Sequence, residues 1–231
     1  MKDLILAIDT ACARGSLALL QGEHLLAEYT LESPASYLNR LLPGIDRLFQ
    51  DTQRQLAEIR AVIVSSGPGN FTGLRIGMST AKGLALGLEC PIVAVPTLET
   101  LAANFPFTAH PICSVLDAKK NEVYAACYRC EQGFPELVGD YLLLTPAALA
   151  DRLKEPTILT GPGLDRYGPF LQSQKTNLVL LAPPELRHLR AGVLARLGLK
   201  RLEQRQFGSI DQLTPFYLRP AESELQRIQM R

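Results

Sequence analysis

A glycine-rich stretch directly after an apolar run constrains this chain more than any other feature. The apolar run is Ala61–Val64, and the stretch at residues 67–77 reads GPGNFTGLRIG. This order predicts a strand, a tight loop and then a helix, a junction that directs backbone N–H groups at an anion or at a partner's backbone. No Lys-Ser or Lys-Thr pair follows, and the glycine spacing differs from that of a dinucleotide-binding loop. The stretch is therefore neither a Walker loop nor a Rossmann fingerprint.

Two parts of the chain share one pattern. In residues 4–19 an apolar strand ends at Asp9, and a polar turn leads to a second strand. In residues 112–128 an apolar strand ends at Asp117, and again a polar turn leads to a second strand. This duplicated unit resembles the actin-like ATPase superfamily, in which two ribonuclease-H-like halves face a cleft. We therefore predict an α/β fold with two such halves.

Hydrophobic periodicity predicts the elements of each half. In the first half, residues 1–105, we predict strands at 3–9, 15–20, 24–31, 61–65 and 91–95 and helices at about 35–50 and 73–89. In the second half, residues 106–231, we predict strands near 112–117, 122–130, 137–144, 157–160 and 177–181 and helices near 146–154, 164–172 and 185–205. Hairpin-linked strands followed by alternating strands and helices imply mixed sheets with flanking helices. The tail after Asp211 is irregular; packing back on the first half is one option.

Composition excludes several classes of protein. Hydrophobic residues make up 47% and charged residues 20% of the 231 residues, which is ordinary for a globular protein. The formal net charge of +1 gives no overall electrostatic basis for nucleic-acid binding. No apolar run approaches the roughly 18 residues needed to span a bilayer, and the N-terminus lacks the layout of a signal peptide. We expect a cytoplasmic protein that does not contact a membrane.

The motif GPGNFTGLR, together with LILAIDT at residues 4–10, resembles the motifs of the TsaB (YeaZ) family. The likeness covers nearly the whole chain, through further motifs at residues 82–87, 95–98, 116–119, 122–124 and 216–219. It implies a non-catalytic accessory subunit of the bacterial machinery that makes threonylcarbamoyladenosine in tRNA. In that role the subunit binds and activates TsaD, which transfers a threonylcarbamoyl group to the adenosine next to the anticodon. The resemblance also implies cooperation with the ATPase TsaE, a homodimer when alone, and tRNA contact only through the complex.

The superfamily resemblance places Asp9 and Asp117 where actin-like kinases hold a metal–phosphate complex. In active members a glycine beside each aspartate usually lets phosphate approach the backbone. Here Thr10 and Ala118 stand in those places. We therefore predict a vestigial nucleotide cleft formed by Asp9, Thr10, Gly67, Gly69, Asp117, Gly161 and Gly163. No intrinsic cofactor is expected, and an adenine nucleotide would bind weakly or be shared at an interface.

The sequence lacks the residue patterns that metal binding and nucleophilic catalysis need. TsaD carries a His-x-x-x-His pair on a helix, whereas the corresponding residues 36–42 contain no histidine. Cys127 and Cys130 lie in a predicted strand, where residues three apart point to opposite faces of the sheet. They cannot share a metal ion without a bulge, and no second cysteine pair completes a four-ligand site. We predict no metal site and no catalytic residue.

The predicted helix at 35–50 has an apolar stripe from Leu38 to Phe49 at i, i+3, i+4 spacing. Pro43 falls inside this pattern, and we expect it to kink the helix. The simplest interpretation of the stripe is packing on the helix's own sheet.

The helix after the glycine loop has two rows of small residues at four-residue steps, Gly73-Gly77-Ala81-Ala85 and Ser79-Gly83-Gly87. An interior glycine costs a helix about 0.5–1 kcal/mol relative to alanine, which close approach of another backbone compensates. One row can face the parent sheet while the other faces a second helix, which favours contact with a partner chain over the alternative of purely internal packing. Together the two helices predict a partner interface formed by Leu38, Leu41, Leu42, Ile45, Ile76, Gly77, Thr80, Ala81 and Leu84.

The predicted C-terminal helix region is rich in basic residues, namely Arg187, Arg190, Arg196, Lys200, Arg201 and Arg205. Such a helix could contact tRNA phosphates. Leucines interleave the basic residues, which favours the simpler interpretation of an amphipathic helix with a solvated face.

Two alternative functions remain open from the residues. One is an actin-like ATPase or kinase acting on its own, with Asp9, Asp117 and the loop at 67–73 around Mg-ATP. The other, a glycoprotease-type metallopeptidase, is weaker because the histidine pair is missing.

Overall fold

Two five-stranded mixed sheets form the fold. The structure is a computed structural model that describes residues 3–32 and 39–219. The first sheet has the strand order β3-β2-β1-β4-β5 and the second the order β10-β9-β6-β7-β8. Counted from the hairpin edge, the second order repeats the first, so the duplication predicted from the sequence is present.

The first half contains five strands and three helices among the described residues. They are β1 (Leu4–Asp9), β2 (Arg14–Gln21), β3 (His24–Glu32), α1 (Leu41–Thr52), β4 (Ile59–Gly67), α2 (Phe71–Gly87), β5 (Ile92–Pro96) and α3 (Thr97–Ala102). Strand β1 pairs antiparallel with β2 and parallel with β4. It therefore lies at the centre of the sheet, with its carboxyl end beside the loop that precedes α2.

The second half follows the same plan. Its elements are β6 (Thr108–Asp117), β7 (Val123–Cys130), β8 (Glu136–Leu144), α4 (Pro146–Arg152), β9 (Thr157–Thr160), α5 (Leu164–Gln174), β10 (Val179–Leu181) and α6 (Ala191–Glu203). Strand β6 occupies the position of β1, antiparallel to β7 and parallel to β9. Asp9 and Asp117 thus end equivalent central strands.

Helices cover both faces of the first sheet, which explains why β1 is apolar on both sides. Leu6 and Ile8 pack with α1 and α2 in one core cluster. Ile5 and Ala7 pack with α6 in another. A further cluster, between the halves, joins α3 to β6 and β7.

The helix predicted at 35–50 is α1, which begins at Leu41. Pro43 therefore stands in the first turn, where a missing N–H costs no helix hydrogen bond, and the predicted kink is wrong. Leu38 lies outside the described residues.

The helix predicted at 185–205 is wrong in its extent. A short 3-10 turn at Pro184–Leu186 precedes α6, and α6 packs on the first sheet. This packing is close, because a Cβ added at Gly198 would lie 2.4 Å from the Ile63 side chain. A boundary at residue 105 thus separates the two sheets but not the helices that cover them.

The amphipathic interpretation holds at the two ends of α6, where Arg190 and Arg205 are exposed, but Arg196 and Arg201 within the helix are only partly exposed. Arg196 donates to the carbonyls of Gly133 and Ala103, and Arg201 donates to Ala94 and pairs with Glu99. Buried carbonyl groups need hydrogen-bond donors. The guanidinium groups of Arg196 and Arg201 supply them, so these two side chains connect elements of the chain and are not an RNA-binding surface.

Candidate functional site

A cleft of about 650 Å³ lies between the two halves. Residues 11–14 and 69–71 form its wall on the first half, and residues 116–119 and Tyr124 form much of its wall on the second. Pro162, Asp165, His188 and Leu189 complete the lining. The cleft therefore lies at the carboxyl ends of β1 and β6, where the sequence predicted it.

Asp9 does not reach this cleft. Its side chain is fully buried, and its Oδ1 accepts a hydrogen bond from the Ala11 N–H at 3.2 Å. Oδ2 has no hydrogen-bond partner in the described part of the chain. Burial raises the pKa of Asp9 from its ordinary value of 3.8 to about 6, against the lowering effects of Ser65 and the Ala11 N–H. Asp9 is thus a buried carboxyl group rather than an accessible metal ligand.

Asp117 has the opposite environment. It lines the cleft and forms ion pairs with Lys119 at 3.2 Å and Arg166 at 3.5 Å. Although partial burial opposes it, hydrogen bonds from Lys119 hold the pKa of Asp117 below its ordinary value. Its carboxylate is ionised and already neutralised by cations of its own half.

The glycines of the loop before α2 contact the chain's own backbone. A Cβ at Gly69 would lie 2.3 Å from the Ala11 carbonyl oxygen, and one at Gly73 would lie 2.2 Å from that of Thr10. Thr10 Oγ1 donates to the Gly73 carbonyl at 2.7 Å, so the helix start is fastened to the end of β1. The partner backbone expected at this junction is therefore β1 itself.

Gly67 has a φ of +115°, which favours glycine, and a Cβ there would lie 2.4 Å from the Phe216 carbonyl oxygen. In the second half, a Cβ at Gly161 would lie 2.3 Å and one at Gly163 2.9 Å from the Val115 carbonyl oxygen. Glycine thus permits close packing on the central strand β6 in the second half, whereas at Gly67 it permits the approach of the C-terminal segment.

Of the residues predicted for the nucleotide cleft, Gly69 and Asp117 line it. Asp9 and Thr10 are buried, and Gly67, Gly161 and Gly163 pack against carbonyl groups, so none of these five is among the described lining residues. Burial of Asp9 and Thr10, and close packing of the three glycines against carbonyl groups, keep these residues out of the lining.

Sequence reasoning missed several lining residues, namely Cys12, Phe71, Lys119, Tyr124 and His188. Most of them stand within the recognised motifs, at positions next to the expected ones. Which of two adjacent residues faces the cleft depends on bends in the backbone, and such bends leave no periodic pattern in the sequence.

Cys127 and Cys130 point to opposite faces of the second sheet, as predicted. Cys127 packs with α4 and α5, whereas Cys130 packs in the cluster between the halves. The sequence analysis missed that Cys127 faces Cys113 on the adjacent strand. A hydrogen bond with Cys127, together with burial, raises the pKa of the Cys113 thiol. Within residues 3–32 and 39–219 no group of three His, Cys, Asp or Glu side chains could hold a metal ion.

The predicted partner interface divides into core and surface. Leu41, Ile45, Gly77 and Ala81 are buried inside the chain, so they are core residues and not an accessible contact. Among the predicted residues, Leu42 is 54% exposed, while Ile76, Thr80 and Leu84 are half-buried.

The outer face of α2 carries a larger exposed set than the sequence predicted. Ser79, Gly83, Leu86 and Gly87 are all exposed, and Leu86 is 70% exposed. Within residues 3–32 and 39–219, a Cβ added at Gly83 or Gly87 would meet nothing within 4 Å. The described residues therefore cover the first row of small residues but not these two glycines.

Comparisons with known proteins match a profile described as TsaD and proteins named TsaB. The profile of the family described as "TsaD: tRNA N6-adenosine threonylcarbamoyltransferase" matches residues 29–153. The chain is 31% identical over 228 residues to the "tRNA threonylcarbamoyladenosine biosynthesis protein TsaB" of Bacillus subtilis, covering 97% of this chain and 98% of that protein. It is 36% identical over 154 residues to the TsaB protein of Escherichia coli, covering 65% of this chain and 66% of that protein.

Solved structures give the fold. A Pseudomonas aeruginosa protein "with similarity to peptidase YEAZ" superposes with a TM-score of 0.80 at 27% identity, covering 94% of this chain and all of that one. Component A of (R)-2-hydroxyglutaryl-CoA dehydratase from Acidaminococcus fermentans superposes with a TM-score of 0.52 at 10% identity, covering 87% of this chain and 99% of that one. The predicted actin-like fold is confirmed. No helix in the described ranges is both long and apolar enough to cross a membrane.

Proposed function

Because the chain belongs to the TsaB (YeaZ) family and acts in the biosynthesis of tRNA threonylcarbamoyladenosine, we propose that it is a non-catalytic subunit that binds and activates TsaD. The threonylcarbamoyl transfer to the adenosine next to the anticodon is then the work of TsaD. TsaE and tRNA join through the complex, and the free chain pairs with a second copy through the same surface.

One observation carries this proposal: the outer face of α2 has glycines that no part of the chain described by the structure covers. Gly83 lies inside the helix, where glycine weakens it by about 1 kcal/mol relative to alanine. Gly73 and Gly77 have a compensating close contact with Thr10, but Gly83 has open space. Beside it Leu86 is 70% exposed, and Leu42 on α1, which covers the same sheet face, is 54% exposed. A second chain packed closely on α2 would cover both features.

The environments of the two aspartates support a non-catalytic role. A catalytic centre of the actin-like type needs Asp9 and Asp117 accessible to a metal–phosphate complex. Asp9 is fully buried, and Asp117 already pairs with Lys119 and Arg166. Residues 36–42 also lack the histidine pair that the resemblance assigns to TsaD.

A Leu86→Arg substitution tests the surface. We expect a folded protein that is monomeric and fails to bind TsaD, with binding weakened at least 100-fold, because a charge would be desolvated in an apolar contact. Size-exclusion chromatography with light scattering reports the oligomeric state, and titration with purified TsaD reports the affinity.

Phe170→Arg is the matched control, since Phe170 is an exposed aromatic residue, at 41%, on α5 of the other half. It should leave self-association and TsaD binding unchanged. If Leu86→Arg binds TsaD with normal affinity, α2 is not the contact surface. If both variants lose binding, the effect is not specific to α2.

Nucleotide binding distinguishes this proposal from an independent ATPase or kinase. We expect the isolated chain to bind Mg-ATP more weakly than micromolar and to show no significant ATPase activity, because Asp9 is buried and Asp117 is already paired with Lys119 and Arg166. Isothermal titration calorimetry provides the measurement. Micromolar or tighter binding that disappears in Asp117→Ala would favour the kinase interpretation instead.

A further inference from the structure

The segment after α6, residues 210–219, runs from the first half of the molecule to the second. Ile210 and Leu213 pack against the core cluster of α1, α2 and the first sheet. Farther along, the Phe216 N–H donates to the Ser66 carbonyl at 2.7 Å. The segment is thus attached to the end of β4, immediately before the glycine loop.

The same segment contacts the first turn of α2. The Tyr217 ring lies 5.0 Å from that of Phe71, a residue of the cleft wall. Tyr217 Oη accepts a hydrogen bond from Arg75 Nε at 3.1 Å, and the Arg75 guanidinium lies 3.8 Å above the Phe71 ring. These three side chains pack as one unit on the first half.

The next residues contact the second half. The Phe216 ring meets Tyr141 edge to face at 5.1 Å. Arg219 donates from Nη1 to the Ala118 carbonyl at 2.7 Å and from Nη2 to the Glu122 carboxylate. Ala118 and Glu122 flank the β6–β7 turn, which carries Lys119 of the opposite cleft wall and directly follows Asp117. The Arg219 side chain is only 18% exposed, so water screens this ion pair weakly.

We infer that residues 210–219 act as a clamp that fixes the distance between the two cleft walls. The segment contacts each wall directly, at Phe71 on one side and at Ala118 on the other, and its hydrogen bond to Ser66 anchors it beside the first wall. Opening of the cleft would break the Arg219 contacts or separate Tyr217 from Phe71 and Arg75 of α2. The clamp also holds α2 in a set orientation relative to the second half. The inference does not depend on TsaD, because all of its contacts lie within this chain.

An Arg219→Ala variant of the full chain tests the clamp. Spin labels on genetically encoded amino acids at Glu23 and Asp140, exposed residues of different halves, report the inter-half distance by electron–electron resonance. We expect the distance distribution to widen at least twofold. Amide exchange should accelerate at least tenfold both at residues 118–122 and at residues 66–71, which Arg219 does not touch.

Arg129→Ala is the matched control, because Arg129 pairs with Glu155 at 2.6 Å entirely within the second half. It should leave the distance distribution and both exchange regions unchanged. Faster exchange at 118–122 with an unchanged distance distribution would overturn the clamp and leave Arg219 a local structural role. If Arg219→Ala does not fold, Glu122→Gln, which keeps the shape and removes the charge, decides between the same two outcomes.

Discussion

An Ala81→Arg substitution is expected to unfold the chain. Ala81 has no exposed surface and packs in the core cluster that joins α1, α2 and the first sheet. An unpaired charge there costs about 3–5 kcal/mol or more, and the larger side chain adds strain. Small domains are stable by only about 5–15 kcal/mol, so we expect loss of soluble protein and of the cooperative thermal transition. Circular dichroism during heating provides the measurement.

The control for this prediction lies on the same helix. Leu86→Arg introduces the same side chain five residues later, on the exposed face, and should change the free energy of unfolding by less than about 0.5 kcal/mol. Should Ala81→Arg fold with a normal transition, the side of α2 assigned here to the core would be accessible. The contrast between the two variants therefore distinguishes the buried side of α2 from its exposed side.

An Asp9→Asn substitution is expected to change how stability depends on pH. The pKa of Asp9 is raised in the folded chain from 3.8 to about 6, so the protonated form favours folding. The folded protein carries no ionisation penalty below about pH 4, and the penalty grows through pH 6 to on the order of 3 kcal/mol above it. Relative to Asp9→Asn, the wild-type chain should thus lose about that much stability between pH 4 and pH 8. Urea unfolding at several pH values measures the difference.

Asp117→Asn provides a control of opposite sign. Because the pKa of Asp117 is lowered in the folded chain, its ionised form favours folding, and the stability that it contributes is lost as the pH falls below the ordinary value. Asp117→Asn should therefore destabilise the chain near neutral pH.

The Asp9 prediction can be contradicted directly. If the stability of the wild-type and Asp9→Asn proteins depends on pH in the same way, Asp9 is hydrated and accessible, contrary to its burial.

The two aspartates also illustrate how far the sequence predicts the site. Their positions at the ends of equivalent strands follow from the duplicated pattern alone. Their chemistry does not, because a pKa depends on burial and on charges from elsewhere in the chain. Lys119 is a sequence neighbour of Asp117, but Arg166 is brought to it by α5. Nothing near Asp9 in the sequence indicates that β2, β4 and α2 enclose it.

By itself, the sequence determined the fold class, the duplication, the order of the strands and of every helix except the short α3, and the opposite faces of Cys127 and Cys130. These are local properties, since hydrophobic periodicity and turn residues act over a few positions. Tertiary structure alone decided which row of small residues on α2 is covered, because the covering residue, Thr10, is more than sixty positions away along the chain. It also decided that the arginines of α6 bind backbone carbonyls, and that the C-terminal segment joins both halves. Such contacts depend on which distant segments the sheets bring together, and local sequence patterns carry no record of that.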